Sequence, residues 1–107
     1  DDLRPTLTVS SPRPGPNPGP LNSIRVGVAD AYSGIKNGSL LLTCTVPIDS
    51  RAAGDDFADA LTQVNDGVYE TTLSQPIPVG TEAVLHAAVS DKQGNVTQVD
   101  VKFSVTE

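Results

Sequence analysis

The residues from which this chain could build a binding site are Asp30, Tyr32, Asp91 and Asn95. They fall in two similar stretches, Val28-Ala29-Asp30-Ala31-Tyr32-Ser33-Gly34-Ile35 and Val89-Ser90-Asp91-Lys92-Gln93-Gly94-Asn95-Val96. Each ends an apolar run on an aspartate, places a glycine three or four residues later, and resumes with an apolar residue. Two readings fit. In one, each carboxylate accepts hydrogen bonds from backbone amides two or three residues on, closing an Asx-type turn. Gly34 and Gly94 then supply positive φ where the chain reverses, and Ile35 and Val96 plug the end of the core. In the other, Asp30, Asp91 and Asn95 join loop carbonyls as oxygen ligands of calcium, which takes roughly six to eight at about 2.4 Å. Neither stretch has the alternating Asp density of a dedicated calcium loop.

A second acidic cluster, Asp55, Asp56 and Asp59 in "GDDFAD", reads as a solvated charged loop, with a cation site as the alternative. Cys44 and His86 invite a nucleophile–base pair, but strand parity separates them. Cys44 shares a face with Leu40 and Leu42, whereas His86 lies opposite Leu85 and Ala87, and side chains on opposite faces cannot reach hydrogen-bonding distance. With one Cys no intrachain disulfide forms, and Cys44 reads as a small buried hydrophobe. The chain has no G-x-S-x-G elbow, no phosphate-cradling glycine loop and no H-E-x-x-H, so nothing marks an enzyme. Sugar-stacking surfaces need exposed rings, and the aromatics here are Tyr32, Phe57, Tyr69 and Phe103, with no Trp. Parity assigns Tyr69 and Phe103 to the core, which leaves Tyr32 and Phe57. The sequons at Asn37 ("NGS") and Asn95 ("NVT") are glycan acceptors in a eukaryotic secretory route and turn residues otherwise.

The elements that must hold these residues are short strands. A chain of 107 residues makes one domain with one core and needs neither disulfide nor metal to fold. A first residue Asp1 and the absence of Met predict a piece of a longer protein. Thirteen acidic against seven basic residues give a formal charge of −6, and the basic residues are scattered. That distribution argues against nucleic acid and anionic membrane as partners.

Apolar and β-branched residues recur with period two over short runs punctuated by turn residues, the pattern of antiparallel strands with one wet face. The runs are "PTLTVS", "SIRVGVAD", "SLLLTCTV", "VYETTL" after the turn "NDG", "AVLHAAVSD" and "VTQVDVKFSV", with "FADALTQV" open between helix and strand. The predicted core is Leu7, Val9, Ile24, Val26, Val28, Leu40, Leu42, Cys44, Tyr69, Leu73, Leu85, Ala87, Val89, Val99, Val101 and Phe103. Between Ser11 and Pro20, proline at every second position predicts extended polyproline-like chain and no ladder strand. Residues 12–20 are then a loop after the first strand, or else an interdomain linker.

The order of "PTLTVSSP", "IRVGVADAYSGI", "SLLLT", "DGVYETTL" and "LHAAVSDKQGNVT" resembles bacterial immunoglobulin-like and fibronectin-III-like modules of secreted and surface multidomain proteins. The likeness covers nearly the whole chain. It implies an all-β, immunoglobulin-like antiparallel β-sandwich of about seven strands, residues 1–107 forming a single domain. It also implies that the second and sixth strands run the same way in opposite sheets, so Asp30 and Asp91 leave the core at one end, in the B–C and F–G loops, with Tyr32 at a loop tip. The function expected from the resemblance is a non-catalytic, monomeric spacer or scaffold, extracellular, surface-bound or periplasmic. Its partners would be neighbouring domains of the same chain, or a protein or cell-surface ligand. The alternatives are a module binding calcium or another ligand through those loops, and a weak carbohydrate-binding accessory domain.

Overall fold

The computed structural model describes residues 6–29, 40–49, 51–65, 67–90, 92 and 94–107. Eight strands are present among them: β1 (Thr6–Ser11), β2 (Gly15–Pro18), β3 (Leu21–Ala29), β4 (Leu41–Cys44), β5 (Thr62–Asn65), β6 (Val68–Ile77), β7 (Glu82–Ser90) and β8 (Val96–Thr106). They form two four-stranded sheets, ordered β1-β3-β6-β5 and β2-β8-β7-β4, that face each other as a β-sandwich. The all-β architecture expected from the period-two runs is therefore what the chain adopts.

Alternation places the core. In β3, Leu21, Ile24, Val26 and Val28 are buried; in β7, Ala83, Leu85, Ala87 and Val89; in β8, Val101, Phe103 and Val105. Burying each of the larger side chains contributes roughly 1.5–3 kcal/mol against the entropy of ordering the chain. Three expected core members sit at the margin instead: Leu40, Tyr69 and Val99 are half-buried and pack against the cluster from its rim. Core hydrophobics outside the expected set are Leu21, Ile48, Phe57, Leu61, Ile77, Ala83 and Val105.

The proline-rich segment departs from expectation. Gly15–Pro18 is a ladder strand, paired in parallel with β8 from Gly15 opposite Phe103 to Pro18 opposite Thr106. Alternation reconciles proline with the ladder. The Gly19 amide donates to the Thr106 carbonyl at 2.7 Å, so with period two the amide of Asn17 faces β8 as well. Pro16 and Pro18 then carry the opposite side, where a missing N–H leaves nothing unpaired and blunts the sheet edge. The chain reaches β2 from the other sheet through a register shift between Val9 and Ser11 and a fully buried Pro12. The Ser11–Pro12 and Gly19–Pro20 peptides are cis.

"FADALTQV" contains both a short 3-10 turn, Ala58–Ala60, and the strand β5. It belongs to the crossover from β4 to β5, which carries Ile48, Phe57 and Leu61 into the core. Phe57, expected to be available at the surface, is only 1% exposed.

Strand directions define two ends. Leu21 pairs with Ile77, and the turn after Ile77 leads directly into β7, so β3 and β7 start together. Both run away from that end, and Ala29 and Ser90 finish together at the other.

Candidate functional site

The end where Ala29 and Ser90 finish is where the sequence places its candidate ligands. Thr6 pairs with Ala29, Leu41 with Ala88, and Ser90 with Val96, so β1, β4 and β8 all begin at this end. Asp30, Tyr32 and Asp91 lie outside the described residues. Asn95 is half-buried immediately before β8, and Gly94 takes the positive φ expected of it, +90°. Val96 does not plug the core. It is 43% exposed, because the odd residues Val101, Phe103 and Val105 face inward and an even-numbered Val96 faces out. The topology thus brings the two loop starts to one end, and of the three proposed ligands it describes Asn95.

Cys44 and His86 fall on opposite faces of the β4–β7 pair, as parity required. Cys44 pairs with Leu85 and is 2% exposed, and burial in the apolar core pushes its thiol pKa up. His86 pairs with Thr43 on one side and Asp100 on the other, on the wet face. Its Nδ1 stands 2.6 Å from Asp100 Oδ1, an exposed cross-strand pair on an open sheet surface.

The acidic cluster is absorbed by the crossover. One oxygen of Asp56 accepts from the Leu42 amide and the Ala58 amide, each at 3.0 Å. The Phe57 amide donates to the Leu42 carbonyl at 2.9 Å and the Gly54 amide to the Cys44 carbonyl at 2.9 Å. Together these close the outer edge of β4. Asp59 pairs with Arg51 at 2.8 Å, and that hydrogen bond, with the guanidinium's charge, holds its carboxyl below the ordinary aspartate range. Among the described residues, no three His, Cys, Asp or Glu side chains gather where a metal ion could be held.

Two polar residues that sequence reasoning passed over do comparable work. Asp49, in a left-handed conformation (φ 54°), accepts from the amides of Ser74 at 3.0 Å and Gln75 at 2.8 Å. It caps the stretch of β6 that extends past the four-residue β5. Asn17 is the one buried polar side chain among the described residues, 5% exposed. Its Oδ1 accepts from the Arg13 amide at 2.8 Å, and its Nδ2 donates to the carbonyls of Arg13, Gly15 and Ser104 at 2.9, 3.0 and 3.3 Å. The available signal was its place in the proline alternation, an amide flanked by two residues that lack donors.

Comparison with known proteins agrees with the fold. Neither family models nor curated proteins give a match. Among solved structures, the chain is similar to the endo-β-1,4-mannanase from Thermotoga petrophila, with a TM-score of 0.65 and 18% identity. The similarity covers 100% of this chain and 21% of the mannanase, so this chain spans about a fifth of that protein's length. At that identity the likeness is one of fold.

Proposed function

We propose that this chain is a non-catalytic, immunoglobulin-like module of a larger extracytoplasmic protein, acting as a spacer or scaffold. The strand order supports the immunoglobulin-like reading. Taking β1 and β2 as one first strand shared between the sheets, the order matches the ABED and CFG sheets of that fold. The observation that carries the function is the path of the chain. It enters β1 at the end where Thr6 meets Ala29 and leaves β8 at the opposite end, where Thr106 meets Gly19. A module threaded this way extends a polypeptide along its own long axis, 41 Å against 25 and 24 Å across. Both edges of the second sheet agree with a module meant to stay single, since β2 is blunted by proline and β4 is covered by its crossover. The extracytoplasmic setting rests on the resemblance to secreted and surface modules.

Scattering from two copies joined in tandem tests this. A spacer gives an extended particle with a maximum dimension near twice that of one copy. A compact pair with the copies folded side by side overturns the reading.

A second reading is favoured by the shared end of β3 and β7. Loops leaving Ala29 and Ser90 together could hold calcium or a partner through Asp30, Asp91 and Asn95. The carbohydrate reading has less support: Phe57 and Phe103 are buried and Tyr69 is half-buried, so the described aromatics offer no stacking platform.

A further inference from the structure

The four edge strands, Thr6–Ser11, Gly15–Pro18, Leu41–Cys44 and Thr62–Asn65, carry no acidic or basic residue. The strands' acidic and basic residues fall instead on the central ones, as Arg25, Glu70, Glu82, Asp100 and Lys102. An uncharged edge is open to pairing with another chain unless something else blocks it. Proline blunts β2, the crossover covers β4, and β5 is only four residues long. β1 has none of these protections and runs in regular register from Thr6 to Val9. We propose that the β1 edge takes an extended acidic segment of a partner protein as an added strand, apolar residues inward and carboxylates outward toward Arg25.

The backbone dictates which groups the edge offers. The Val28 amide donates to Gly67, on the β6 side of β3. With period two, Gly27 and Ala29 therefore turn their polar groups toward β1, where they meet Thr8 and Thr6. The amides and carbonyls of Leu7 and Val9 then point the other way, off the edge of the sheet. Among the described residues, β3 is the only strand that pairs with β1. An added strand would extend the ladder through those four groups, as in other cases of strand addition. Its inward side chains would lie beside Leu7 and Val9, and its outward ones beside Thr6, Thr8 and Ser10.

Charge selects the occupant. The chain passes straight from β1 to β2 through Pro12, so these two edges share one side of the sandwich, and the β4–β5 crossover occupies the other. The crossover side holds Asp49, Asp55, Asp56 and Asp59. The β1 side holds Arg13, just before β2, and Arg25, both exposed. Arg25 stands in register with Glu70, but among the described residues neither arginine makes an ion pair. The two sides are separated by the width of the sandwich, whose shorter extents are 25 and 24 Å. The screening length is about 8 Å at physiological ionic strength, so the crossover's carboxylates are hardly felt at β1. An added strand would lie two strand spacings from β3, roughly 10 Å, a gap that an arginine and a glutamate side chain close between them. A second copy of β1, bearing only Thr and Ser on that face, would leave Arg25 unanswered.

Amide NMR on the whole chain tests this with a defined probe, the capped peptide Ser-Val-Glu-Val-Glu-Val-Ser, against the same peptide with lysine for glutamate. The acidic peptide should shift the Leu7 and Val9 amides and slow their exchange with solvent, while Leu41 and Val64 stay unmoved. Binding should be several-fold weaker for the lysine peptide, and should weaken as salt is raised. It should also fall several-fold in the double variant Arg13→Gln, Arg25→Gln; if that variant does not fold, the lysine and salt comparisons on the unaltered chain still decide. Unmoved Leu7 and Val9 amides at millimolar peptide, equal binding of the two peptides, or shifts confined to β5 overturn the proposal. So do Leu7 and Val9 shifts that grow with protein concentration alone, which would make a second copy the occupant. The inference does not rest on the spacer reading: a compact tandem particle would discard the spacer and leave the β1 site standing.

Discussion

Val28 and Gly67 are locked together at the end of the sandwich where β3 finishes. The Val28 amide donates to the Gly67 carbonyl at 2.7 Å, and a Cβ on Gly67 would run into the Val28 carbonyl oxygen. Gly67 also holds a φ of +70°, so both its conformation and its surroundings exclude a side chain. The β5–β6 hairpin can approach β3 this closely only because the residue after Asp66 is glycine.

Gly67→Ala should therefore destabilise the fold by about 1–3 kcal/mol, from left-handed strain and displacement of the Val28 carbonyl. Urea unfolding reads the change as a lower midpoint at unchanged slope. An unaltered midpoint would mean the hairpin shifts away from β3 without loss.

Phe57 fills the core from the crossover, and Phe57→Ala should cost about 3–5 kcal/mol, as for other fully buried aromatics. That is a large fraction of the stability of a domain this size. Chemical denaturation checks it, and a loss below about 1 kcal/mol would place the ring outside the core.

Asp56→Ala removes the acceptor shared by the Leu42 and Ala58 amides. The expected cost is about 1–2 kcal/mol, since one buried-edge amide and the start of the 3-10 turn lose their partner together. Hydrogen exchange at Leu42 should accelerate more than at Leu85, in the centre of the same sheet. Equal acceleration at both would mean global loosening and no specific role at the β4 edge.

The period-two strands and the faces they present were legible in the sequence because burial on one side of a sheet forces alternation. That reasoning separated Cys44 from His86 and paired Ile24, Val26 and Val28 in the core. It failed at Phe57 because a crossover has no period. It failed at Val96 because the residue was assigned from its echo of Ile35, when the register of β8 turns it outward. Proline normally removes a residue from a ladder, and here it occupies only the side that needs no donor. The closing caps, Asp49 and Asp56, were illegible for a different reason: each closes a strand through an amide far along the chain, 26 residues away for Asp49 and 14 for Asp56, which local spacing does not reveal. The candidate ligands Asp30, Tyr32 and Asp91 lie outside the described residues, so the structure adds only the end of the sandwich at which their strands finish.

The Arg51–Asp59 pair sets a pH dependence of known sign. Asp59's folded pKa is depressed, first by its hydrogen bond to Arg51, so its stabilising contribution is complete above the ordinary carboxylate range. It is lost as pH falls through the depressed value. The pair is exposed, so the contribution is small and weakens with salt. Carboxyl NMR should show the Asp59 midpoint return to the ordinary range in Arg51→Ala. An unmoved midpoint would assign the depression to another cause.

The central claim, a spacer that holds no calcium at the shared end of β3 and β7, is tested most directly by melting the chain in about 1 mM calcium and again in chelator. A site with a dissociation constant near 10 μM would add roughly 2.7 kcal/mol at that concentration. For a domain of this size that is a rise on the order of 10 °C or more. The account predicts superimposable melts. A rise of that size, abolished by Asp30→Ala or Asp91→Ala, would contradict it and make the shared end of β3 and β7 a calcium site.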